Sequence, residues 1–182
     1  MAATAIRERF SSLSITLHWS MALLISAVYA TILLRENYPR GTDIREGLKA
    51  WHFMLGLVVL LLVFIRALVR LTSRKPLITP QPSAWQARFA GMTHFALYAF
   101  MLAMPFAGWL ILSASGKMIP FFGLELPALI GPSKALADQV KALHETFGMV
   151  GYFLIGLHAV AAIFHHYVIK DNTLLRMLPG RN

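Results

Sequence analysis

Apolar residues in this chain do not alternate with polar ones; they run together in four long blocks separated by polar or proline-rich segments. The blocks extend from about Leu13 to Leu34, Trp51 to Leu71, Phe89 to Leu112 and Leu143 to Ile169. A bilayer core calls for about 20 mostly apolar residues per helix, and each block is long enough. Between the second and third blocks, RKPLITPQPSAWQ carries three prolines and a basic pair, which mark a loop. Residues 113–141 form a longer outer loop, rich in proline and glycine yet fairly apolar. It is expected to hold short interfacial helices and to cover one end of the bundle. The pattern predicts an all-α, integral membrane four-helix transmembrane bundle with residues 1–182 as a single domain.

Composition agrees: 57% of the 182 residues are hydrophobic and 14% charged, against about 25% charged in soluble domains. A formal charge of +9 could point to nucleic acid, but the basic residues sit between apolar runs, where membrane proteins place them. Nucleic acid is therefore set aside as a partner, and the bilayer takes its place. The first block carries a passable cleavage site at Val28-Tyr29-Ala30. The apolar run continues past it and is longer than a signal peptide needs, so the block is read as a retained span.

Orientation follows from the basic residues. The N-terminus, the second loop and the C-terminus carry Arg7, Arg9, Arg66, Arg70, Arg74, Lys75, Arg88, Lys170, Arg176 and Arg181, with only Glu8 and Asp171 against them. The other side carries Arg35, Arg40, Arg45, Lys49, Lys117, Lys134 and Lys141 together with six acids. The positive-inside rule counts Lys and Arg, so both termini are placed in the cytoplasm.

No cysteine is present, which removes disulfides, iron–sulfur clusters and covalently attached c-type haem. All seven histidines (His18, His52, His94, His144, His158, His165 and His166) lie within or at the edge of an apolar block. Ionisable groups at membrane depth are costly and are retained for function or pairing. His144 and His158 are 14 residues apart, within about 40° of a whole number of turns and separated by a rise of roughly 21 Å. They share a helix face but cannot share one metal ion, whose ligands all lie within about 2.2 Å. Two stacked haems fit that spacing. Depth then pairs His52 with His144 on the outer side and His18 with His158 toward the cytoplasm. His165, seven residues beyond His158 on the same face, is a rival partner for His18 that depth alone does not separate. Small residues around His158 (Gly156, Ala159, Ala161 and Ala162) leave room for a porphyrin edge, although small residues also serve close helix packing.

Other polar side chains invite lesser roles. Arg66 and Arg70 stand at the cytoplasmic end of the second span, where they can meet haem propionates or serve as orientation signals that snorkel to headgroups. His94, His165 and His166 are candidates for a propionate contact, a quinone site or plain interhelical hydrogen bonds. Lys117, Arg40 and Lys49 on the outer side could steer a small anion toward the outer haem. A proton-relay transporter is the remaining use of membrane histidines, but four spans without broken helices or an internal repeat suit transport poorly.

The run GYFLIGLHAVAAIFHHYVIKDNTLLRM, with ITLHWSMALL near the start, closely resembles the bacterial cytochrome b561 family over nearly the whole chain. The resemblance implies an inner-membrane bundle binding two haems b through four histidines: carried over, His18, His52, His144 and His158. That choice resolves His158 over His165. It further implies electron passage between the outer side of the membrane and the quinone pool, with superoxide as donor and ubiquinone as acceptor in some members. Other members anchor hydrogenases or other dehydrogenases, so a redox protein partner is the alternative expectation.

Overall fold

The computed structural model describes residues 9–180; Arg7, Glu8 and Arg181, which entered the orientation count, lie outside them. Four long helices dominate: α1 (Ser12–Leu34), α2 (Asp43–Thr72), α3 (Ala84–Ala114) and α4 (Lys134–Phe164). All four are long and apolar enough to cross a membrane. Large apolar side chains such as Leu71, Phe95 and Phe153 are more than three-quarters exposed on the isolated chain. That face suits lipid, since exposed apolar patches of such extent mark an interaction surface.

Local chemistry sets where the helices begin. The Ser11 hydroxyl accepts the Ser14 amide at the start of α1, and Gln86 reaches back to the Ser83 amide at the start of α3 (2.9 Å), a capping arrangement that satisfies otherwise orphaned donors. Three helices extend beyond the apolar blocks: α2 begins at Asp43, α3 at Ala84 and α4 at Lys134. The added turns are amphipathic or charged, with Asp43 and Glu46 in the first turn of α2, where acids complement the helix dipole. Hydrophobicity marks only the part of a helix that lipid touches, so it understates helices that project into water.

The outer connection departs from the expected interfacial helices. It forms an antiparallel hairpin, β1 (Ile119–Phe121) with β2 (Leu124–Leu126), in which Ile119 faces Leu126 and Phe121 faces Leu124. The turn residues Phe122 and Gly123 both have positive φ (48° and 85°), the backbone a tight two-residue hairpin requires. Ile119 is buried with Leu57 and Leu112, against Phe53 and Trp109. The Trp109 indole donates to the Pro127 carbonyl (3.0 Å), and Ser113 Oγ accepts the Leu129 amide (3.0 Å), so the hairpin is fastened over the outer end of α2 and α3.

At the other end the Phe10 amide donates to the Arg176 carbonyl (3.2 Å), and the Trp19 indole to the Met177 carbonyl (2.7 Å). The two ends of the described chain therefore meet. Asn172 clasps the α2–α3 connection: its side chain accepts the Thr79 amide (3.0 Å) and donates to the Leu77 carbonyl (3.3 Å). Arg176 donates to the Pro76 carbonyl. The KDNTLLRM segment is thus a structural clasp. Between the two ends, Met21, Val59, Val63 and Met101 form a buried core.

Candidate haem sites

Two imidazole pairs stand inside the bundle, each joining different helices. His52 of α2 faces His144 of α4 with ring centroids 6.2 Å apart and planes at 81°. His18 of α1 faces His158 of α4 at 6.1 Å and 83°. Imidazole nitrogens bind transition metals at about 2.0–2.1 Å and lie about 1.1 Å from the ring centroid. Two rings on opposite sides of one metal therefore put their centroids about 6.2 Å apart. Both pairs match that separation. Among the described residues no group of three or more His, Cys, Asp or Glu converges on a point where a bare ion would sit. Two imidazoles are an incomplete shell for a free ion but complete an iron already held by a porphyrin.

The outer pair opens into a cleft walled by Ile25, Val28, Phe53, Leu57, Met104 and Trp109 among others. Its lining is almost wholly apolar, as a cofactor of this kind needs. At Gly56 a side chain would meet nothing within 4 Å, and at Gly108 it would reach the His144 ring at 3.8 Å. His52 Nδ1 lies 3.0 Å from the Val28 carbonyl oxygen, to which it donates as Nδ1–H. That bond fixes the tautomer and leaves Nε2 bare for a metal, the usual way a ligating histidine is oriented. Pro105, inside α3 and on the cleft wall, removes one helix donor there.

The inner pair has a third imidazole beside it. The His94 ring is 5.6 Å from that of His158, and the Trp19 ring stands edge-on to His18 at 5.3 Å. Arg66 carries a buried guanidinium nitrogen, Nη1, without a hydrogen-bond partner among the described residues. A buried unpaired donor is costly, so an anion is the natural complement at this place. Arg70 lies over the Phe10 ring (5.2 Å), which Arg176 approaches at 5.5 Å.

The remaining candidates divide. His165 does not join the His18 pair: its Nδ1 is 2.5 Å from Asp171 Oδ2, and the Asp171 side chain is wholly buried. The two residues bracket a π-helical turn, His165–Ile169, a form that often marks functional positions. His166 packs edge-on against Tyr167. On the outer side Lys49 is paired with Glu46 at 2.7 Å, which weakens it as a free steering charge. Arg45 is occupied by the Arg35 and Tyr38 carbonyls and by Glu36. Lys117 and Arg40 are exposed and make no ion pair among the described residues. Sequence reasoning passed over Asp171 as a histidine partner, although its isolation among basic residues was visible. It also passed over Tyr29, whose hydroxyl donates to the Gly148 carbonyl (2.7 Å), for which no sequence signal existed.

Four membrane-crossing helices with paired imidazoles between them define a membrane-bound b-type cytochrome. Comparison with known proteins places it further. The family profile for prokaryotic cytochrome b561 matches residues 9–180. Cytochrome b561 homolog 1 of Escherichia coli K12 is 39% identical over 96% of this chain and 99% of its own length. A probable superoxide oxidase CybB of Yersinia pestis is 38% identical over 97% and 99%. Cytochrome b562 of Cereibacter sphaeroides is 30% identical over 94% and 96%. The chain belongs to the prokaryotic cytochrome b561 family: a multi-pass, electron-transferring haem b protein of the bacterial inner membrane.

Proposed function

We propose that the chain holds two haems b, one on His52 and His144 and one on His18 and His158, and carries electrons from superoxide at the outer face to ubiquinone. The observation that supports this reading is the pair of imidazole separations, 6.2 and 6.1 Å, on one face of α4. Held there, a haem would supply reversible one-electron chemistry. The protein supplies the rest. His52, held by Val28, and His144 fix the outer site beneath the β1–β2 hairpin. Lys117, at the foot of that hairpin, and Arg40 offer positive charge to an approaching anion. Arg66, with Arg70 behind it, offers the inner haem's propionates a partner.

The net reaction takes two superoxide anions, one quinone and two protons to two dioxygen molecules and one quinol. Protons are consumed at the quinone, for which the inner end offers His94, His165 and His166. The likeness to a probable superoxide oxidase at 38% identity favours superoxide as donor. Other relatives carry only cytochrome names, which keeps a second function in view: an electron-transfer subunit for a dehydrogenase.

Rapid mixing of the oxidised protein with superoxide, with and without a soluble quinone, tests the proposal. Haem reduction near the diffusion limit, then reoxidation by quinone, is the expected result. Slow reduction in protein that still holds both haems would replace it with the dehydrogenase-subunit reading.

A further inference from the structure

Between the two histidine levels the bundle closes on a small layer of aromatic side chains. Gly151 lies seven residues after His144 and seven before His158, so it sits about 10 Å by helix rise from each. It is buried, and two rings converge on it from other helices. A methyl group built on Gly151 would overlap both the Tyr29 hydroxyl from α1 and the Phe100 ring from α3. Tyr29 is fixed in place by its bond to the Gly148 carbonyl (2.7 Å) and by the Tyr152 ring, 4.4 Å away. Tyr29, Phe100 and Gly148 also line the outer cleft.

From this arrangement we infer that Gly151 is a positioning residue for the outer haem: it lets Tyr29 and Phe100 rest against α4, and so sets the depth of the outer cleft. The inference rests on the di-haem reading above. Any side chain at 151 must push one or both rings away from α4. Tyr29 is tethered to α4 only one turn toward His144, and Phe100 borders the same cleft, so the space both can move into is the outer haem's. The inner pair stands on the far side of the layer. Its member His18 lies eleven residues before Tyr29 on α1, about 16 Å away by helix rise, so it keeps its geometry.

The test is haem content and spectrum of the purified protein in detergent, with His52→Ala and His144→Ala as references for loss of the outer haem. Gly151→Ala is expected to fall from two haems per chain to one, with the residual spectrum matching those references. The triple variant Gly151→Ala/Tyr29→Phe/Phe100→Leu removes the atoms that the new methyl meets, and is expected to regain the second haem. Two haems and an unchanged outer-site spectrum in Gly151→Ala would overturn the inference. So would a triple variant that stays at one haem, or loss of both haems from Gly151→Ala without rescue in the triple variant. A wild-type protein holding a single haem would instead sink the di-haem reading, before any variant is compared.

Discussion

The ring planes of the two imidazole pairs carry a spectroscopic consequence that can be worked out from the angles. Each axial imidazole splits a pair of iron d orbitals through its π system, along a direction fixed by its ring plane. Two rings at an angle Δ retain a fraction |cos Δ| of the splitting that coplanar rings would give. At 81° and 83° that fraction is about 0.16 and 0.12, so on the di-haem reading little rhombic splitting would survive at either site. The oxidised protein should therefore show two strongly anisotropic low-field electron paramagnetic resonance features and no ordinary three-line rhombic spectrum. Turning one ring removes the effect for one haem only. His144→Ala and His52→Ala should each delete the same feature, with haem content falling to about half, and His18→Ala and His158→Ala should each delete the other. A rhombic spectrum from intact protein would refute the near-perpendicular arrangement. Deletion of one shared feature by His144→Ala and His158→Ala would refute the pairing.

Further outcomes follow from other contacts. Burial pushes the Asp171 carboxyl upward, but hydrogen bonds from His165 and Thr173 outweigh it and hold the group below its ordinary value. Its stabilising contribution is therefore full above the unfolded-state pKa of about 3.9 and fades as pH falls through the folded value. Asp171→Asn should lower stability near neutral pH by about 1.5–3 kcal/mol, the range for a hydrogen bond to a charged group, and flatten the acid limb of a denaturation-versus-pH series. Ser113→Val strands the Leu129 amide that Ser113 Oγ accepts, a loss of about 1–3 kcal/mol. Faster hydrogen exchange across residues 119–129 would register it. Lys117→Glu should slow haem reduction by superoxide severalfold at low salt and much less at high salt, because exposed charges are screened; an equal effect at both would exclude steering.

The four spans were legible because lipid imposes a length and a composition that a single sequence cannot disguise. Fourteen-residue spacing placed His144 and His158 on one face, and depth alone aligned their partners, since a helix has a fixed rise. What depth could not do was separate His158 from His165. That distinction lies in the Asp171 side chain folding back on His165, a contact across a π-helical turn that no periodicity announces. The hairpin at Ile119–Leu126 was missed for a related reason. Two three-residue strands carry almost no alternation, and the turn is made by Phe122 in a backbone region where glycine or asparagine would have signalled it. Tyr29 and Phe100 meet at Gly151 from three separate helices, and such convergence is a property of packing alone.

The clasp formed by Asn172 and Arg176 bears on the order in which the molecule is assembled. It joins the α2–α3 connection to a segment that follows α4, and Phe10, ahead of α1, leans on the same segment. During synthesis those residues emerge only after all four helices have been handed to the bilayer. Until then the cytoplasmic ends of α1 and α2 lack their latch, so the bundle is fully fastened at that end only once translation has passed Arg176.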